Sequence, residues 1–207
     1  MKSKGDFIMA KLNIALKSVI NYGGLDCIVL DVKQDKVLVL AKESIGNMPF
    51  DEDNSHNFPK GTLCKYLNNE FIKKLKANGA DTSALVPTSI DLISDDGLTD
   101  YGVTTQKVFL LTCDMYRKYH FLIPNIDSWW WLASAYSPKG YAIFTRIVSS
   151  NGSLYYVDAY RGDGGVRPAF YLKSSILESL SPSLSEFTTE ELLREVLRRN
   201  AESTETE

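Results

Sequence analysis

The stretch WWWLASAYSPKGYAIFTRIVSSNGSLYYVDAYRGDGGVRPAF, residues 129–170, contains all three tryptophans of the chain and many of its tyrosines. The aromatic residues are interspersed with Ser, Gly and Asp. Tyrosine offers a large contact area at a small cost in rotamer entropy, and Ser and Gly add adaptable hydrogen bonding, which is the composition of antibody-like binding surfaces. Aromatic residues also favour strands, so packing inside a β-rich core is the alternative interpretation.

The same stretch has the pattern of short strands joined by glycine turns. Asn151-Gly152 is the strongest hairpin signal of the chain, and it predicts that YAIFTRIV pairs with SLYYVDAY. Alternation along a strand places Tyr156 and Asp158 on one face and residues 155, 157 and 159 on the other. Since Val157 and Ala159 are apolar, we expect the second face to be the core side.

The three tryptophans are expected to divide between two faces. In a strand, Trp129 and Trp131 share one face and Trp130 takes the other. At least one of them is therefore expected in the core, and at least one can lie at the surface. The alternative is that all three pack in the core or at its edge.

The segment GVRPAF, which closes the stretch, predicts a structural role. Pro168 lacks an N–H and is expected at the edge or start of a strand. Arg167 stands between apolar neighbours, where its guanidinium is expected to tie loop carbonyls or a carboxylate. A role in contacting a ligand is the alternative.

Upstream of this stretch, the sequence predicts a hairpin and two helices. Cys27–Val32 and Lys36–Ala41 are β-branched runs around a polar turn. A helix is expected between Thr62 as N-cap and Gly79 as stop, with a core stripe of one residue in four: Leu63, Leu67, Phe71 and Leu75. Thr112 is expected to cap a second, short helix.

The remaining segments upstream and downstream have less regular sequence patterns. Residues 1–24 read as a short helix or tail leading into the Gly23-Gly24 turn, residues 46–60 as a loop, and residues 107–112 as a buried strand, with a short extended piece around 92–93. After Leu172 a Ser-rich linker leads to an amphipathic helix that starts with the capping-box spacing Thr188 to Glu191. The end of the chain is expected to be disordered.

Composition excludes several classes of function. The net charge of −3 and the scattered Lys and Arg disfavour nucleic-acid binding. The three widely spaced cysteines, Cys27, Cys64 and Cys113, predict buried free thiols rather than disulfides or a zinc site. No apolar run is long enough for a membrane span, and Lys11 and Lys17 interrupt any secretion signal, so a cytoplasmic or phage-associated location is favoured.

Five segments together resemble a known family. LDVKQDKVLVLAKESI, LCKYLNNEFIKKL, TTQKVFLLTCDMYRKY, WWLASA and NGSLYYVDAYRGDGGVRPAFYL occur in the order found in a bacterial and phage family with the C-type-lectin-like fold, in the branch shared with formylglycine-generating enzymes. This family is akin to the variable proteins of diversity-generating retroelements, whose last strands and loops carry the residues that bind targets. The most specific element is WWLAS followed by GVRPAF.

The resemblance implies an α+β domain over residues 20–175, with small antiparallel sheets packed against helices and a long irregular loop region. Residues 1–19 would be a tail or short helix, and residues 176–207 the linker, helix and disordered end. The elements 130–132 and 165–170 resemble the invariant frame, and residues between them resemble the displayed part. The implied contact residues are Tyr136, Tyr141, Phe144, Arg146, Tyr155, Tyr156, Asp158, Tyr160, Arg161 and Asp163.

These patterns favour a non-enzymatic domain that binds a protein or glycan target through residues 134–163 without a cofactor. The alternative is a structural or assembly module of a prophage particle or cell-surface complex. Formylglycine-generating enzymes use a pair of cysteines, but residues 129–171 contain none and Cys113 stands alone. The two histidines, His56 and His120, are far apart, and the loop acids at 51–53 and 95–96 are expected to be solvated rather than catalytic or calcium-binding. The calcium triplets EPN, QPD and WND of lectins do not occur.

Overall fold

The computed structural model of the protein describes residues 15–139 and 141–176. In chain order the strands are β1 (Val19–Tyr22), β2 (Leu25–Val32), β3 (Lys36–Ala41), β4 (Leu85–Val86), β5 (Thr88–Asp91), β6 (Val103–Gln106), β7 (Val108–Phe109), β8 (Trp130–Ala135), β9 (Phe144–Val148), β10 (Leu154–Asp158) and β11 (Ala169–Lys173). Helix α1 comprises Thr62–Tyr66, a π-helical turn at Leu67–Phe71, and Ile72–Ala77, and helix α2 is Cys113–Tyr119. Single 3-10 turns lie at Phe58–Lys60, Thr82–Ala84, His120–Leu122 and Ser174–Ile176.

The strands form three small sheets. The largest has the order β1-β2-β3-β11-β4, with β7 also paired to β11. The second has the order β10-β9-β8, and the third pairs β5 with β6. Every pairing between these strands is antiparallel, and the structure is therefore α+β, as the family resemblance implied.

Several sequence predictions are confirmed. The hairpins β2–β3 and β9–β10 form where the β-branched runs and the Asn151-Gly152 turn predicted them. The stripe on α1 is buried at all four positions. Gly79 ends the helix with φ +88°, and the Ala80 N–H donates to the Leu75 carbonyl, which is a glycine C-cap. The Thr112 hydroxyl accepts the Met115 N–H and caps α2.

Two predictions of local structure were wrong. Val19–Tyr22 is a strand rather than a helix or tail, because Gly23 and Gly24, at φ +59° and +75°, turn it back onto β2. The N-cap of α1 is Gly61, and Thr62 is its first residue. Asp51, eleven positions earlier, accepts the Thr62 N–H at 2.9 Å, so the cap comes from a distant side chain.

Two further segments differ from expectation in extent. The buried stretch that begins at Lys107 is a strand only at Val108–Phe109, and Leu110 and Leu111 continue it as buried coil. The extended piece expected at 92–93 lies earlier, as β5. The linker and helix expected downstream lie, from residue 177 on, outside the described residues.

Candidate functional site

The tryptophan strand β8 forms a buried frame. Trp130 and Trp131 are both enclosed, and Trp129 is half-buried. The rings of Trp129 and Trp131 meet edge to face at 4.8 Å, as expected for residues on one face, while Trp130 packs instead against Tyr116 of α2. The indole N–H of Trp131 donates to the Met48 carbonyl at 2.8 Å, which satisfies its only donor.

The glycines of the 161–165 turn allow a close approach to this frame. A Cβ on Gly164 would lie 2.2 Å from the Trp131 indole nitrogen, and one on Gly165 would lie 2.9 Å from the Trp129 carbonyl oxygen. Gly165 accepts the Trp131 N–H and donates to the Trp129 carbonyl, each at 3.0 Å. The turn and the tryptophan strand are therefore held together by their main chains.

Arg167 completes the frame from inside the core. Its fully buried guanidinium donates to the carbonyls of Ala41, Lys42 and Pro124 and lies 4.9 Å from the centroid of the Trp130 ring. The predicted structural role of tying loop carbonyls is confirmed. Burial lowers the pKa of Arg167 to about 10, so the group stays protonated at neutral pH.

Five aromatic side chains gather on the β9–β10 hairpin and its flanks, and we call them the aromatic patch. Ring centroids within the patch are 4.6–6.4 Å apart in six pairs. Tyr141 stacks on Phe144 at 5.9 Å and Tyr155 stacks on Tyr156 at 5.0 Å. The members of the patch are Tyr136, Tyr141, Phe144, Tyr155 and Tyr156.

The outer members of the aromatic patch face solvent. Tyr141 is 54% exposed and Tyr155 is 56% exposed, and Ile143 beside them is also exposed. Tyr136, Phe144 and Tyr156 are half-buried beneath. A cluster with such a half-buried base and an open rim has the amphipathic, rigid surface that protein recognition uses.

Arg146 lies at the inner border of the aromatic patch and does not project as a free contact residue. Its guanidinium carbon lies 4.9 Å from the Tyr136 centroid, and an NH2 group donates to Asp95. Asp95 also accepts from Arg117 of α2 at 2.5 Å. Burial by itself would raise the pKa of Asp95, but the two arginines outweigh it and the pKa is lowered.

His56 attaches a loop to the base of the patch. It is buried, and its Nδ1 lies 2.8 Å from the Phe144 carbonyl, while Nε2 meets the Tyr101 hydroxyl. A carbonyl only accepts, so the proton is on Nδ1 and Nε2 accepts from Tyr101. Burial lowers the pKa of His56, which keeps the ring neutral.

The remaining predicted contact residues form a second group. Tyr160, Arg161 and Asp163 are exposed in the turn after β10. Arg161 lies 5.7 Å from the Trp129 ring centroid and donates to Asp163. Asp158, opposite Phe144 in the β10–β9 register, stands between the two groups.

Four expectations at the site are corrected. Tyr155 does not face the core with Val157 and Ala159, because β10 is an edge strand and the ring turns outward onto Tyr156. Asp51 is buried and accepts from Ser55 and Thr62, so it is not a solvated loop acid. Asp95 is likewise not a solvated acid, because it forms ion pairs with Arg146 and Arg117. Arg146, predicted to be displayed, is half-buried in that pair.

Nothing in the sequence indicates two of these contacts, Asp95 with Arg146 and His56 with Tyr101. Asp95 lies 51 positions before Arg146, and His56 lies 45 positions before Tyr101. No periodicity connects loop residues at such separations. Turn signals located the loops, but the contacts depend on the tertiary fold.

The other chemical groups of the described chain offer little reactivity. The three cysteines are free and buried, as predicted, and burial raises the pKa of Cys64 and of Cys113 to about 11. Such thiols are protonated and poor nucleophiles at neutral pH. Across the described ranges, acidic, histidine and cysteine side chains nowhere group as a metal site. A helix of bilayer-spanning length and apolarity is likewise not found there.

A cleft of about 370 Å³ lies away from the aromatic patch, between β5, α2 and the large sheet. Its walls mix Lys33 and Lys118 with Asp91 and Asp114 around Tyr171. This mixture of charges indicates no particular ligand. The concentration of exposed aromatic surface therefore makes the hairpin the candidate site.

Comparison with known proteins found no match among protein-family models, curated proteins or solved structures.

Proposed function

We propose that the protein is a non-enzymatic target-binding domain that presents the aromatic patch on a rigid frame. The observation that carries the proposal is the exposure of Tyr141 and Tyr155 over a half-buried aromatic base. Rigid aromatic anchors of this kind lose little entropy on binding and provide most of the affinity in many interfaces. The proposed binding needs no cofactor.

The frame supports this proposal because it holds the patch in place from beneath. Gly164 lies close against Trp131, and Arg167 packs on Trp130. His56 and Asp95 attach separate loops to β9. A surface fixed on such supports is pre-organised, so little ordering cost is incurred on binding.

The proposed fold is the C-type-lectin-like fold, and the proposed relation is to variable proteins of diversity-generating retroelements. Support comes from the order of the sequence segments and from the pairing of the carboxyl-terminal strand β11 with the amino-terminal hairpin strand β3. The long irregular region between β7 and β11, which carries the patch, agrees with this proposal.

The alternative of a structural or assembly module remains a second candidate because of Tyr160 and Phe121. Both are exposed and lie apart from the contacts of the aromatic patch. An assembly contact through such residues would be permanent, and the purified protein would then form large complexes.

A selection experiment tests the binding proposal. A library of linear peptides displayed on phage is selected against the full chain, and bound clones are mapped by tyrosine nitration of the protein. We expect the ligands to protect Tyr141 and Tyr155 and to leave Tyr66, on α1, reactive. Ligands that protect Tyr66 or Tyr160 while Tyr141 and Tyr155 stay reactive would overturn the assignment of the site.

A further inference from the structure

We infer that the outer edge of β10 is a docking site for an extended, basic segment of a partner protein, which adds a strand to the β10-β9-β8 sheet. The inference rests on the proposed function, because it names how the same surface meets its target. It favours a protein over a glycan as the target.

One side of the β10 main chain is hydrogen-bonded to β9, and the other side has no neighbouring strand. The Ser149 N–H donates to the Ser153 carbonyl, and the Ala159 N–H donates to the Ile143 carbonyl, each at 2.8 Å. In an antiparallel pair the bonded positions alternate, so the odd-numbered residues of β10 bond to β9. The N–H and C=O groups of Leu154 and Tyr156 therefore point away from the sheet.

This outer side carries open hydrogen-bonding groups. Within residues 15–139 and 141–176, no side chain or main chain bonds to the outward groups of Leu154 or Tyr156. The Asp158 carbonyl accepts the Arg161 N–H at 3.1 Å, which ends the open edge at its carboxyl end. The open stretch has the form that an extended peptide recognises by strand addition.

The edge lacks two of the usual protections against strand addition, lysine and proline. Exposed edges in natural proteins carry lysines, prolines or inward-pointing charges that prevent pairing. The segment Leu154–Asp158 reads LYYVD and contains neither lysine nor proline. Its central residues, Tyr155 and Tyr156, would instead contact alternate side chains of an added strand.

Negative charge next to the β10 edge favours a basic partner segment. Loop 51–54 adjoins the carboxyl end of β10, since the Asp51 N–H donates to Ala159 at 3.0 Å and the Asn54 side chain accepts from Tyr160 at 3.1 Å. Glu52 and Asp53 of this loop are exposed.

Although Arg161 attracts Asp158 electrostatically, these acids have no ion-pair partner in the described part of the chain. None of its ion pairs includes Glu52, Asp53 or Asp158, and the neighbouring Arg161 is paired with Asp163. An acidic rim beside an open edge complements Lys or Arg side chains of the added strand.

Two short capped peptides test the inference with the full chain. One alternates Lys with Val and the other alternates Glu with Val. Amide exchange is followed by NMR at Leu154 and Tyr156, and at Tyr155 and Val157 as internal controls. We expect the Lys/Val peptide to slow exchange at the two outward amides at least about fivefold and to leave the two inward amides unchanged, because these already bond to β9.

Variants separate the main-chain contribution from the charge. Asp158→Pro removes an outward N–H together with the carboxylate, at an edge position where proline is tolerated. Asp158→Asn removes the carboxylate alone. We expect a larger loss of affinity for the Lys/Val peptide in Asp158→Pro than in Asp158→Asn. Should the proline variant not fold, the exchange pattern of the unaltered chain decides.

Several outcomes would overturn the inference. Equal binding of the Glu/Val peptide would reject the basic partner, and failure of both peptides to bind would reject the edge. Protection of Tyr155 and Val157 along with the outward amides would reject strand addition. Slowed exchange at Leu154 and Tyr156 that depends on protein concentration, without peptide, would show a second copy at the edge. Ligands selected on phage that need Tyr141 and Tyr155 but bind Asp158→Pro normally would reject edge docking and keep the proposed function.

Discussion

The guanidinium carbon of Arg167 lies 4.9 Å from the ring centroid of Trp130, and both side chains are almost completely buried. The two side chains therefore pack directly against each other in the core. Because Arg167 also donates to the carbonyls of Ala41, Lys42 and Pro124, the pair connects the tryptophan strand β8 to the end of β3 and to the loop at 124.

Replacing Arg167 by Met should lower the free energy of unfolding by at least about 2 kcal/mol, since the buried Ala41 carbonyl and two part-buried carbonyls lose a charged donor. Arg167→Lys should also destabilise, because an ammonium lacks the planar fork. Urea unfolding measures both. The control is Arg161→Met, which replaces an exposed arginine and should leave stability nearly unchanged. Equal effects at 161 and 167 would contradict the role of Arg167 in the frame.

A matched pair of glycines tests how closely the 161–165 turn packs. Gly164→Ala places a methyl group against the Trp131 ring and should destabilise by about 1–3 kcal/mol through overpacking. Gly162→Ala meets no atom within 4 Å and should be neutral or slightly stabilising. Thermal unfolding compares the two variants. An unchanged melting temperature in Gly164→Ala would show that the turn moves away from Trp131 in solution.

The extent to which the sequence could anticipate these features depends on their range. Alternation and turn chemistry located the β9–β10 hairpin, and the spacing of one in four located the core stripe of α1. The role of Arg167 followed from its apolar neighbours. Side-chain contacts over long separations did not follow, because nothing local in the sequence distinguishes Asp95 from Asp96.

Ring orientation was also beyond the sequence. Alternation places Tyr155 on the face of Val157 and so predicts that it points to the core, whereas the family resemblance implies a contact residue. The side chain belongs to an edge strand and is 56% exposed. Alternation gives the face of a sheet, and whether that face is covered at a given position depends on how far the neighbouring elements extend. The same reason explains why Asp51, expected in solvent, is buried as a cap for α1.

The ion pair between Asp95 and Arg146 should contribute more to the free energy of unfolding than a surface ion pair. Asp95→Ala leaves the half-buried Arg146 without its carboxylate and should cost about 1–3 kcal/mol. Asp114→Ala removes only the exposed partner of Arg117 and should cost less than about 1 kcal/mol. Urea unfolding at neutral pH distinguishes them, and a larger effect at Asp114 would refute the inner position of Asp95.

Stability should depend on pH through His56. Its pKa in the folded protein is lowered from the ordinary 6.5, so below about 6.5 the unfolded chain binds a proton that the folded chain does not. Stability from this group is complete above pH 6.5 and is lost progressively as the pH falls toward the lowered folded pKa. His56→Gln should weaken the loss of stability between pH 7 and pH 5 in urea unfolding. An identical pH dependence in the variant would contradict a buried neutral imidazole.

The most direct test of the central claim is the affinity of one selected ligand for three variants of the full chain. Tyr155→Ala and Tyr141→Ala should each weaken binding by about tenfold or more, as truncated aromatic anchors do, with melting temperatures close to that of the unaltered protein. Tyr66→Ala, which removes a half-buried tyrosine of α1, should leave the affinity unchanged. Loss of affinity in the first two variants alone would establish the aromatic patch as the binding surface. Unchanged affinity in both would show that the patch is packing and that the ligand binds elsewhere.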